Sequence, residues 1–311
     1  MNQVTRFGDF IQPFQIESVG VRGRLVRLGP AIDAMLRPHG YPPPVASLLA
    51  EAASLTVVLA SGLKYDGVFT FQVHGDGPVG LMVADITSDG TLRGYARYDA
   101  ARLEEPRAAE GPVPRLLGAG HMAFTVDQGP DTERYQGITA LEGATLGECA
   151  HHYFRQSDQV DAAITLAAAP ANTANGEYRA AALSIQRLPP QTSTTATHAD
   201  PDAEDDWRRA VILMSSATPE ELLDPALSAE GLLLRLFHVD GVRAYRRRPL
   251  RHGCRCSRNR VVRTLAAFPL DELATMADDG IVTVVCEFCK ADYTVRLDEM
   301  NLDASASSDA R

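Results

Sequence analysis

The chain has 311 residues, a formal net charge of −10 and a hydrophobic content of 45%. That is ample apolar material for a main domain with a smaller companion. The acidic balance argues against a protein whose main work is coating nucleic acid or anionic membrane.

Met1–Asp9 carries no apolar run that would serve as a signal sequence, so a cytoplasmic location is expected. Phe10–Ile16 and Val21–Val26 read as strands, followed by a short helix near Ala31–Leu36. Pro42, Pro43 and Pro44 lead into an apolar stretch, Val45–Leu63, that holds Glu51 and several hydroxyl residues. A buried core helix suits it better than a membrane span, and no membrane partner is expected. Val68–Val73 alternates with period two, and turns at Gly75–Pro78 and Ser88–Gly90 lead on to strands at Val79–Ala84 and Leu92–Ala96. Gly120–Val126 and Gly137–Leu141 add two strands, Leu146–Gln156 a helix, and Ala163–Ala168 and Ala181–Arg187 two more strands. A sheet with helices on it is the simplest architecture.

Composition changes at Pro189. Residues 189–206 are Pro, Gln, Thr, Ala and acids with almost nothing to bury, which predicts a flexible linker. Helices resume at Trp207. Thr218-Pro219-Glu220-Glu221 is a capping box, and Ser228 is placed to cap a helix carrying Leu232, Leu233, Leu234, Leu236 and Phe237. Helices this short must dock on something. The expected fold class is α+β: an N-terminal sheet domain packed with helices (1–188), a flexible and helical linker (189–245), a small C-terminal zinc-binding module (246–300) and a disordered tail (301–311).

Of five cysteines, four fall late, as Cys254-Arg255-Cys256 and Cys286-Glu287-Phe288-Cys289. Each pair closes a tiny loop, so ordering one long loop assembles the four ligands of a tetrahedral zinc. Ser257 can cap a helix through Val261, Val262 and Leu265, Leu270–Met276 makes another, and Asp278-Asp279-Gly280 stops it. Ile281–Val285 then leads into the second pair, with Tyr293–Arg296 as its hairpin partner. Four cysteines close the metal's shell, which disfavours a zinc hydrolase. Cys-x-x-Cys in a hairpin, not at a helix start, disfavours a thioredoxin-like oxidoreductase. No catalytic residues are assigned and no enzyme is expected. Nine arginines, Arg243, Arg246, Arg247, Arg248, Arg251, Arg255, Arg258, Arg260 and Arg263, surround the first pair. They fit either a nucleic-acid patch or cations that offset a zinc–tetrathiolate charge and keep the sulfurs reactive. Cys149 reads as a structural cysteine, and His151 and His152 as surface or packing residues.

Cys254–Arg258 with Cys286–Cys289 resembles the zinc centre of the 33-kDa heat-shock protein family, the redox-regulated bacterial holdase chaperones. Gly20–Leu28, Leu63–Gly67, Gly75–Pro78, Leu92–Arg97, Thr125–Gly129, His152–Ser157 and Leu236–His238 extend the resemblance over nearly the whole chain. Asn259 departs from a common Glu, and the stretch 189–206 is longer than usual; neither touches a ligand. The resemblance implies an ATP-independent chaperone that is inactive when reduced, with one zinc per chain on Cys254, Cys256, Cys286 and Cys289. It implies disulfides Cys286–Cys289 and Cys254–Cys256 on oxidation, zinc release, unfolding of module and linker, and a homodimer that holds unfolding client proteins. Leu232, Leu233, Leu234, Leu236 and Phe237 are the candidate client-binding residues. The alternatives are a zinc-ribbon nucleic-acid binder and, behind it, a thiol oxidoreductase.

Overall fold

The first hairpin joins β1 (Phe10–Ile16) and β2 (Val21–Leu28), both buried along most of their length, in a register that runs from Phe10 opposite Arg27 to Ile16 opposite Val21. The computed structural model describes residues 7–103, 111–129, 132–155, 161–170, 176–188 and 201–298. Residues 189–200 of the expected linker and the whole expected tail, 301–311, lie outside them. After β2 comes α1 (Pro30–Leu36), whose start is closed from a distance: the Asp9 carboxylate accepts from the amides of Gly29 at 2.7 Å and Ala31 at 3.0 Å. Next is α2 (Pro43–Ala60), with proline in its first turn and apolar residues on every face.

Strands β3 (Val68–Gly75), β4 (Val79–Thr87) and β5 (Thr91–Tyr98) form the expected meander. β6 (Gly120–Asp127) and β7 (Tyr135–Ala140) follow. Then come α3 (Leu146–Tyr153), capped by the Thr145 hydroxyl, and the antiparallel pair β8 (Ala162–Ala169) and β9 (Arg179–Arg187).

The next helix, α4 (Pro201–Ser215), begins earlier than expected. Residues 201–206 were assigned to the flexible linker because they offer nothing to bury. They form the opening of a helix instead, since a leading proline and a run of acids suit a helix N-terminus whatever their burial. α5 (Pro219–Leu223) carries the anticipated capping box, in which Thr218 accepts from Glu221 N–H at 3.3 Å and Glu221 accepts from Thr218 N–H at 3.0 Å. α6 (Ala229–Phe237) is capped by Ser228. Three short strands then appear where the sequence showed only an arginine run: β10 (Val242–Ala244), β11 (Arg248–Pro249) and β12 (Arg251–His252).

These strands make two sheets, not one. The first runs β10-β1-β2-β9-β8, with β11 also on β1, and the second runs β12-β5-β4-β3-β6-β7. α2 lies between them, touching β2, β8 and β9 on one side and β3, β4 and β5 on the other. It is the one helix among the described residues long and apolar enough to cross a membrane, and 78% of it is buried within the protein. A helix apolar all round needs neighbours all round, and two sheets supply them. One sheet would have left half of α2 uncovered.

β9 shows why its own sequence is nearly unbroken in apolar residues: both faces are covered. Ala180 and Ala182 join the cluster around α2, while Ala181, Leu183 and Ile185 join a second cluster under α4, α5 and α6. That second cluster seats Leu222, Leu232, Leu233, Leu236 and Phe237. Gly23 makes room for the Phe14 ring, whose atoms would lie 2.0 Å from a Cβ there, and Phe14 stacks on Phe237 at 5.8 Å. Arg27, 4% exposed, donates to the carbonyls of Glu221 (3.2 Å), Asp224 (3.2 Å) and Leu227 (2.6 Å) and so clamps the α5–α6 connection to the sheet.

The chain divides into two compact units after His252. The module was expected to begin at 246, but Arg246–His252 lie in the larger unit, because β11 and β12 hydrogen-bond to β1 and β5. The smaller unit contains α7 (Arg258–Leu265), α8 (Leu270–Met276) and the hairpin β13 (Ile281–Val285) with β14 (Asp292–Arg296). Its buried core is Leu265, Leu273, Val282 and Val295.

Candidate metal centre

Cys254 and Cys256 sit on the extended segment that enters α7. Ser257, in a β conformation, accepts from Arg260 N–H at 3.3 Å and stops the helix from swallowing the cysteines. Cys286 and Cys289 form a knuckle between β13 and β14. There Cys286 N–H donates to the Ala291 carbonyl and Lys290 N–H to the Cys286 carbonyl, both at 2.9 Å, and Lys290 takes a left-handed φ of 58°. That conformation turns the chain back so that both thiols of the pair face the first segment.

The four Sγ atoms lie within 4.8 Å of one another, with Cys254–Cys286 at 3.7 Å and Cys256–Cys289 at 3.4 Å. Metal–sulfur bonds of about 2.3 Å in a tetrahedron place sulfurs about 3.8 Å apart, so the thiols fit a four-coordinate metal ion. All four are half-buried and none is in a disulfide. Burial first, and the crowd of other sulfurs after it, push the Cys289 thiol up to about 12; burial also raises Cys256. Four thiolates in so small a space need a shared cation, which reverses that preference.

One participant escaped the sequence reading. Tyr293, anticipated only as a strand residue, donates its phenol O–H to Cys256 Sγ at 3.0 Å, and that bond lifts the phenol to about 12. No local motif marks it, because the partners are 37 residues apart. Arg27, quoted only as part of a family motif, likewise gained its role as clamp from the tertiary fold.

The candidate client-binding residues lie elsewhere, in the larger unit. Leu232, Leu233, Leu236 and Phe237 are core residues of the second cluster, and Leu234 is 58% exposed. Cys149 is fully buried, its thiol pushed up to about 11 by burial, and His151 and His152 are exposed. The arginine run has a use neither sequence reading foresaw. Arg243 pairs with Glu17 at 3.1 Å, Arg247 with Glu230, and Arg251 with Asp89, while Arg247 also lies over the Phe10 ring. These pairs pin the segment 242–252 to the sheets.

Comparison with known proteins accounts for both units. The sequence profile of the Hsp33 family, described as "Hsp33 protein", matches residues 9–296. A "33 kDa chaperonin" of Caulobacter vibrioides is 42% identical over 291 residues, covering 92% of this chain and 94% of the relative. One from Pseudomonas fluorescens is 34% identical over 287 residues, covering 92% and 90%. The fold is similar to the crystal structure of the 33 kDa chaperonin from Thermotoga maritima, with TM-score 0.77 at 19% identity over 97% of this chain and 99% of that one. The chain therefore belongs to the Hsp33 family of redox-regulated bacterial holdase chaperones, and is not an enzyme.

Proposed function

We propose that this protein is an ATP-independent, cytoplasmic holdase, kept inactive by one zinc ion on Cys254, Cys256, Cys286 and Cys289 and activated when oxidation removes those ligands. The observation that carries the reading is a set of four thiols within 4.8 Å of one another in a unit whose fully buried core is four side chains. So small a core does not hold a domain together alone. Bound zinc would keep the four sulfurs deprotonated and tie their two segments together, supplying on the order of 10–16 kcal/mol of apparent folding free energy.

Oxidation joins Cys286 to Cys289 and Cys254 to Cys256, and a sulfur in a disulfide no longer binds a metal. In the reduced cluster each sulfur has a neighbour from the opposite segment. Pairing within each motif follows once the module loosens, because thiols one or two residues apart meet far more often than thiols across the long loop. The client surface is the one α4, α5 and α6 cover. Their undocking would expose Leu232, Leu233, Leu236 and Phe237 together with Phe14, Ile16, Leu183 and Ile185 of the first sheet. Surface of this kind would bind unfolding proteins and would also favour a homodimer of the oxidised chain.

The test is light scattering from a thermally unfolding client. Reduced, zinc-loaded protein is expected to leave aggregation unchanged, and peroxide treatment with mild heat to suppress it while releasing one zinc per chain. Zinc retained after all four thiols are oxidised, or equal holding in both states, would overturn the reading.

A further inference from the structure

Tyr293 occupies β14 opposite Val284, on the same face as Val295, which packs against Val282 in the core of the small unit. The strand register thus sets the direction of the half-buried ring, and its hydroxyl reaches across to Cys256 rather than to the knuckle beside it in sequence. A hydroxyl donating to sulfur draws on the lone pair with which a thiolate attacks an electrophile, and it occupies one direction of approach. The bond is therefore a brake on one thiol of the cluster. Cys289 also has a donor, the backbone amide of Ala291, but that donor belongs to the knuckle and moves with it. Tyr293 instead joins the first cysteine segment to the second hairpin strand.

We propose that Tyr293 is a positioning residue that retards oxidation of Cys256. This rests on the redox reading above and concerns how that site is regulated. With a peroxide as oxidant, one thiolate sulfur attacks a peroxide oxygen, forming an S–O bond as the O–O bond breaks and hydroxide leaves. The second thiolate of the pair then attacks that sulfur, forming the S–S bond and releasing a second hydroxide. Two electrons pass from each pair to one peroxide. A hydrogen bond held by Cys256 slows whichever of these attacks Cys256 must make.

The experiment compares full-length wild type with Tyr293→Phe, which keeps the aromatic ring and removes only the donor. Reduced protein as purified, whatever metal it carries, is treated with limiting peroxide or iodoacetamide, and each cysteine is followed by peptide mass spectrometry. Modification of Cys256 is expected to rise roughly three- to tenfold in the variant, as the loss of one hydrogen bond predicts, with Cys286 and Cys289 within about twofold of wild type. An unchanged Cys256 rate overturns the proposal. So does a parallel rise at all four cysteines, which would mean that the hydroxyl only holds the module together. Zinc content and client holding of the wild type are measured alongside. Their failure would overturn the switch, whereas the selective rate change decides the role of Tyr293 separately.

Discussion

The larger unit buries one extensive apolar cluster around α2 and another beneath α4, α5 and α6. Residues 253–298 bury only Leu265, Leu273, Val282 and Val295 and gather four thiols beside them. The first is stabilised by area removed from water, which oxidation of the four thiols does not touch directly. On the proposed reading the second depends on a few bonds between sulfur and a metal, which an oxidant would abolish. On that reading a chemical signal would unfold the small unit first and release α4, α5 and α6 after it, while the two sheets stay folded.

The sharpest way to break this comparison is to remove metal ligands. Replacing Cys286 and Cys289 with Ser should forfeit most of the roughly 10–16 kcal/mol of metal-derived folding free energy. Hydrogen exchange should then show 253–298 unprotected while β1–β9 keep their protection, and the reduced variant should already hold some client. A protected module in that variant would mean its core suffices without metal.

A smaller effect is expected where the second cluster is cut. Phe237→Ala removes the ring stacked on Phe14 and should destabilise the docking of α6 by about 3–5 kcal/mol. Exchange over 201–237 should accelerate, and zinc uptake at the cysteines should not change. Weakened zinc binding in this variant would show that the two kinds of stability are not separate.

The smallest effect lies in the middle of α2. Burial pushes the Glu51 carboxyl up to about 7 from an ordinary 4.5. A carboxyl with a raised folded-state pKa stabilises below its unfolded pKa and loses that contribution as pH climbs through the folded value. Stability should therefore fall between pH 4.5 and 7 by about 1–3 kcal/mol. Glu51→Gln should flatten that slope in denaturant titrations at several pH values. An unaltered slope would assign it to other groups.

Much of the fold was legible because it is written in short-range patterns. Apolar runs between turn residues marked β1 through β9, with period-two alternation in β3, hydroxyl residues ahead of apolar runs marked the starts of α5, α6 and α7, and Leu270–Met276 is an expected helix at its observed bounds. The missed pieces share a different cause. Pro201–Asp206 looked like linker because burial was the criterion, yet a helix N-terminus needs charge and a proline more than burial. β10, β11 and β12 are two or three residues long, too short for a period, and exist because β1 and β5 offer them open edges. The expectation that α6 must dock holds for Leu232, Leu233, Leu236 and Phe237, which are in the core, while Leu234 is exposed.

Sequence by itself determined the four-thiol centre, since two close pairs of cysteines return to each other through any hairpin that folds. It also pointed to burial of α2, because Glu51 is the one charged residue in that helix. Only the tertiary structure decided that two sheets enclose α2, that Arg27 clamps α5 and α6, and that Tyr293 reaches Cys256. These are contacts between residues far apart in the chain. Their partners are selected by what the assembled fold brings within reach, and no local pattern of residues encodes that.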